Sequence, residues 1–195
     1  MILYHGSNVE VKEPRLLKSD RMLDFGTGFY LTSSFEQADR WAYRTTLRRR
    51  TGAPVITVFN FDETQQNKLK VLIFETANKK WLNFIAKNRE GTAINDNWDI
   101  VIGPVADDKT MPVIRLFLAK VYTTSETLRR LLPQNLNDQY AFKTEKSLQL
   151  LSFSEVIRKL KIQNLPQLLI ITTSKLLKKS AVNTVYRNFR HCGVF

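Results

Sequence analysis

YHGSN, residues 4–8, and DFGTGFYLT, residues 24–32, are the two stretches whose reading decides the fold. Met1 to Tyr4 is short and apolar, which predicts a buried strand ending at His5-Gly6. In the second stretch Gly26 and Gly28 permit a tight turn, after which Phe29, Tyr30 and Leu31 enter another strand. Ser34 is a good N-cap for the helix FEQADRWAYRTTLRRR, with Phe35, Ala38 and Ala42 on one face. Arg48, Arg49 and Arg50 suit the negative end of that helix dipole, and Gly52 is the expected stop.

Outward from there, Pro54–Phe61 and Leu69–Phe74 read as strands, and Trp81, Phe84 and Ile85 as the apolar face of a short helix. Asp99–Asp108 reads as a buried strand running into an acidic turn. Ile114, Phe117, Leu118 and Val121 mark another helix, and Ser125 is the expected cap of the next, through Leu132. Gln139–Thr144 alternates like an edge strand, and LQLLSFSEVI supplies a helix end and one more strand. Strands and helices mix without βαβ regularity, so the fold class is α+β.

With 43% hydrophobic residues in 195, the chain has the apolar mass for one sizeable core and is not a disordered tail. One cysteine, Cys192, excludes an internal disulfide, and with only His5 and His191 beside it a zinc site is not expected. MILYHGS has no basic n-region and Leu168–Ile171 is too short to span a bilayer, so the expectation is a soluble, cytoplasmic protein away from membranes. The net charge is +12, and residues 151–195 hold eight Lys and Arg against Glu155 alone. This sets residues 1–155 apart from a basic extension, 156–195, which either binds nucleic acid or an acidic partner or is a solvated face.

HExxH, CxxC, GxSxG and the P-loop pattern are absent. Gly26 and Gly28 precede a strand rather than a helix, so they fail the context of a dinucleotide-binding turn. His5 alone reads equally as a hydrogen-bonded core residue. Asp107-Asp108 either positions an acceptor or caps the following helix, and Asp24 has the same two readings. Trp81 and Trp98 read as core. Arg40 and Arg44 either meet a phosphate or are solvated.

His5-Gly6-Ser7 closing the first strand, then FGTGFYLT, then Trp41 eleven residues beyond Tyr30, then Gln139-Tyr140 opening a late strand, resemble the ADP-ribosyltransferase superfamily, in its diphtheria-toxin and poly-ADP-ribose-polymerase branch with the His, Tyr, Glu signature. Over residues 1 to 153 the order YHGSN, DFGTGFYLT, QADRWA, WDIVIGPVADD and NDQYAFKT resembles more closely the bacterial DUF3990 family. The resemblance implies two small bent β-sheets with flanking helices around a cleft for NAD, a co-substrate, with no metal. It implies that His5 binds a hydroxyl of the adenosine ribose. It also implies that the backbone of Gly6 pairs with the nicotinamide carboxamide, where a Cβ would hold the ring off. Ser7 would support that corner, Tyr30 would stack on nicotinamide, and Trp41 would cover its other face. Gly26 and Gly28 would let the backbone pass close to the dinucleotide. Ala38 falls near a position where related polymerases carry a serine.

The implied activity is mono-ADP-ribosylation of a protein or nucleic-acid acceptor: an NAD-dependent glycosyltransferase resembling the toxin of a bacterial toxin–antitoxin pair, with an antitoxin protein as partner. The signature's glutamate, which grips the nicotinamide ribose 2″-hydroxyl, falls on Gln139. An amide accepts that hydrogen bond but brings no charge, which favours single transfer over polymer elongation. Glu145 compensates only if a loop brings it back. His5, Tyr30 and Gln139 are thus the expected catalytic residues. The alternatives are an NAD glycohydrolase, or a catalytically weak NAD-pocket module whose basic tail binds nucleic acid.

Overall fold

A computed structural model describes residues 1–17, 22–92, 97–106, 110–132 and 136–158. Asp107-Asp108, Cys192 and the basic extension after residue 158 lie outside them.

The described chain is α+β and builds two small sheets. Strands β1 (Ile2–Ser7), β3 (Val55–Phe61) and β7 (Leu151–Arg158) form an antiparallel sheet in the order β1-β3-β7. Strands β2 (Phe29–Leu31), β6 (Asp138–Phe142), β5 (Ile100–Pro104) and β4 (Val71–Ile73) form the second, in the order β2-β6-β5-β4, parallel only between β4 and β5. A single backbone pair joins them: Tyr4 N–H donates to Thr32 O at 2.8 Å and Thr32 N–H to Tyr4 O at 3.1 Å.

β3 is buried almost throughout because both of its faces are covered. Ile56 meets Ala38 and Ala42 of helix α1 (Phe35–Arg49). Phe59 and Phe61 point the other way, into a cluster with Leu3, Leu31, Ile100 and Phe142 that both sheets share. The far side of the second sheet is closed by helices α2 (Lys79–Arg89), α3 (Met111–Leu118) and α4 (Thr124–Leu131), around Trp81, Ile85, Val101 and Ile114. Trp81 is fully buried and Trp98 packs against the same cluster, as the sequence predicts. A one-turn helix, α5 (Glu145–Leu148), leads into β7, which runs past Glu155 to Arg158.

Two boundaries and one strand position differ from expectation. α1 starts as predicted, with Ser34 Oγ accepting from Gln37 N–H. It stops at Arg50 rather than Gly52: Arg50 takes the left-handed conformation (φ 55°) and closes the turn on Thr46 O at 2.8 Å. The cap of α4 is Thr123, whose Oγ1 accepts from Glu126 N–H; Ser125 lies inside the first turn. β6 is an interior strand between β2 and β5, not an edge, and its alternation reflects two unlike buried faces.

α1 lies so close to β1 that position 6 admits only glycine. A Cβ there would overlap the carbonyl oxygen of Ala38 and stand 2.9 Å from Ala42 N. The absent side chain of Gly6 therefore makes room for the helix backbone. Gly6→Val should cost about 3 kcal/mol of stability or more, by forcing α1 off the sheet, and a chemical denaturation curve measures it directly.

Candidate functional site

The seam between the sheets opens into a cleft of about 270 Å³. β1 contributes His5 and Gly6, β2 contributes Tyr30, and β6 contributes Gln139. α1 adds Trp41, Thr45 and Arg48, three residues spaced to share one helix face. Leu23 and Asp24 come from the segment before β2, Arg89 from the end of α2, and Val105 and Ala106 from the segment after β5. A larger cleft of about 590 Å³, between Glu75–Asn78 and the leucines of α4, is mostly apolar, with Glu75 the one ionisable residue among the described residues that line it. Convergent polar groups mark a chemical site better than volume does, so the smaller cleft is the candidate.

His5 holds the seam. Its Nδ1 lies 2.8 Å from the backbone oxygen of Tyr30. A carbonyl only accepts, so Nδ1 carries the proton and Nε2 keeps its lone pair. The ring stacks on Phe29, centroids 4.4 Å apart. Burial pushes the imidazole pKa below its ordinary 6.5; the Tyr30 carbonyl works against this, and Arg49 adds to it. The residue is therefore neutral at neutral pH. Tyr30 is fixed at its far end: its hydroxyl donates to Gly26 O at 2.6 Å and accepts from Phe25 N–H at 3.1 Å.

Gln139 is 3% exposed, and its Nε2 makes no hydrogen bond among the described residues. It faces Asp24, which is buried in an ion pair with Arg89, Nε to Oδ1 at 2.6 Å. Burial pushes the Asp24 carboxyl up, while Arg89, Gln139 and the backbone of Ala106 pull it back in part. The neighbouring Asp138 turns away to accept from Ser33 N–H at 2.9 Å and Ser33 Oγ at 2.6 Å, and so ties β6 to the start of α1.

The structure thus gathers His5, Gly6, Tyr30, Trp41 and Gln139 on one cleft. Ser7 and Gly28 are not among the lining residues. Ser7 is buried at the end of β1. A Cβ at Gly28 would stand 2.9 Å from Phe142 O, so this glycine is accounted for by its approach to β6. Glu145 is exposed at the start of α5, away from the cleft, and Arg40 and Arg44 are exposed as well. Sequence reasoning missed Arg48 and Arg89 as cleft residues. Arg48 was findable, seven residues beyond Trp41 on the same helix face. Arg89 carried no local signal, because its partner Asp24 is 65 residues away.

A two-sheet α+β domain with a polar cleft at the sheet junction is the class that fold and site define. The model of a family described as "Protein of unknown function (DUF3990)" matches residues 1–153, and the chain belongs to that family. No curated protein matches the chain. No solved structure matches it either. Among the described residues no helix is long and apolar enough to cross a membrane.

The lowered pKa of His5 has a testable consequence. Between the folded pKa and about 6.5 the unfolded chain binds more protons than the folded one, so stability falls as pH drops through that window. Comparing the parent and His5→Gln at about pH 7.5 and about pH 5.5, the acid loss of stability should be larger in the parent.

Proposed function

We propose that this protein is an NAD-consuming mono-ADP-ribosyltransferase with an ADP-ribosyltransferase-like fold. The observation that carries the reading is the meeting of His5, Tyr30, Trp41 and Gln139 on one cleft, from four separate stretches of sequence. In this reading the cleft takes the nicotinamide riboside end of NAD, and its size, at the lower end for small-molecule pockets, suits that half. Tyr30 and Trp41 offer aromatic surface to the planar cationic ring. Arg48 and Arg89 put two guanidinium groups near the diphosphate. His5 Nε2 accepts from a ribose hydroxyl, as its protonated Nδ1 allows. Gln139 accepts from the hydroxyl beside the reacting carbon.

The reaction is loss of nicotinamide from that ribose carbon as positive charge develops on the sugar, as in glycoside cleavage. The cleft orients the acceptor against that carbon. The acceptor is a protein or a nucleic acid, and the role of toxin restrained by an antitoxin rests on the resemblance alone. Incubation with labelled NAD and a cell lysate, followed by protease or nuclease on separate aliquots, tests the reading. Label on macromolecule supports transfer; free ADP-ribose alone identifies a glycohydrolase; no turnover leaves an NAD-pocket module.

Binding is tested separately. NAD should raise the melting temperature of the parent. Trp41→Ala should bind about ten-fold more weakly, since an aromatic–cation contact is worth roughly 1–2 kcal/mol. Equal NAD stabilisation of parent and variant would remove Trp41 from the pocket.

A further inference from the structure

The cleft holds a carboxylate to which the reading above gives no role. Asp24 is the only acidic residue among the described residues that line the cleft. It is 7% exposed, whereas the side chain of its partner Arg89 is 25% exposed. Both arginine contacts end on one oxygen, Nε at 2.6 Å and Nη2 at 2.5 Å from Oδ1. The Ala106 backbone also meets this carboxylate. Gln139 lies against the same carboxylate. A carboxylate only accepts, so the amide turns Nε2 toward Asp24 and presents Oε1 to the cleft. Burial leaves the charge of Asp24 weakly screened, while water reaches Arg89 more freely.

We propose that Asp24 is the catalytic carboxylate of this cleft and supplies, from the segment before β2, the negative charge that Gln139 lacks. The proposal rests on the NAD-cleaving reading. In that reaction the carbon–nitrogen bond between ribose and nicotinamide breaks, and its electron pair leaves with the nicotinamide nitrogen, which becomes neutral. The positive charge passes to the ribose carbon. A lone pair of the acceptor then forms the new bond to that carbon, and the acceptor's proton passes to water. A neutral amide can hold the adjacent hydroxyl but does little for a full positive charge. A carboxylate beside it opposes that charge where it develops. Arg89 has a supporting part: its charge opposes the neutralisation that burial favours at Asp24.

A purely structural Asp24–Arg89 tie makes a different forecast, because a tie cannot be restored by moving the charge to the next side chain. The test uses the full chain and reads NAD turnover together with NAD-induced thermal stabilisation. Asp24→Asn should slow turnover by about a hundredfold and keep NAD stabilisation. Adding Gln139→Glu to Asp24→Asn should recover most of the loss. Where Asp24→Asn alone does not fold, Asp24→Asn with Arg89→Gln removes the pair without leaving a buried charge behind; NAD then binds more weakly for want of Arg89, and at saturating NAD the same slowing and the same rescue by Gln139→Glu are expected. Turnover at the parental rate in a folded Asp24→Asn protein overturns the proposal. So does a folded, NAD-binding double variant that stays as slow as Asp24→Asn. A parent that turns over no NAD overturns the enzymatic reading, and this proposal with it.

Discussion

The contact between β1 and β2 is the constraint on which the rest depends. These strands belong to different sheets, and among the described residues the backbones meet through one pair, Tyr4 with Thr32 just past the end of β2. One residue along, His5 reinforces the contact by donating Nδ1–H to Tyr30 O. A neutral hydrogen bond of this kind is worth about 1 kcal/mol net, but here it also fixes a tautomer. The imidazole must be neutral to sit against Phe29 in a buried seam, and once Nδ1 is committed to the carbonyl only Nε2 is left to meet a ligand. The same hydrogen bond that helps close the two sheets on each other thus sets the chemistry of the cleft between them.

The second constraint is the approach of α1. Gly6, Ala38 and Ala42 are small where helix and strand cross, and this lets the helix lie against β1. Depth on one side of α1 fixes what the next face can reach: Trp41, Thr45 and Arg48 come onto the cleft. A His-Gly pair at the end of a strand therefore has two separable causes. The histidine is explained by the seam and the cleft, the glycine by helix packing. Gly6 contributes backbone to the cleft wall, but its identity is no argument for a ligand.

The parts of the fold set by local pattern were legible in the sequence. Buried strands announced themselves as apolar runs, and α1 by its Ser34 cap and its Phe35, Ala38, Ala42 face. What stayed hidden depends on distant partners. β6 alternates because one of its faces meets the shared core and the other holds Gln139 at the cleft, a situation that an edge strand mimics in sequence. Thr123 and Ser125 are equally good caps in composition, and only the turn geometry chooses between them. Arg50 adopts the left-handed conformation although glycine favours it, so the composition rule pointed two residues too far. The Asp24–Arg89 pair joins two segments that nothing in the linear sequence connects.

Where the start of β6 meets α1 and the cleft, the molecule gives up stability. Gln37 donates to Asp138 O at 2.9 Å but leaves its own Oε1 buried without a hydrogen bond among the described residues. Gln139, one residue on, leaves Nε2 in the same condition. Each such atom costs about 1–3 kcal/mol relative to a paired one, and an apolar side chain of similar size would avoid the cost. Gln37 returns part of it, because its amide holds β6 to the first turn of α1. Gln139 ties no second element in that way: its backbone pairs with Gly103 whatever the side chain, and its amide lies against Asp24 on the cleft wall. A buried amide set against a buried carboxylate, kept at a cost in stability, is what distinguishes this cleft wall from the apolar packing around it.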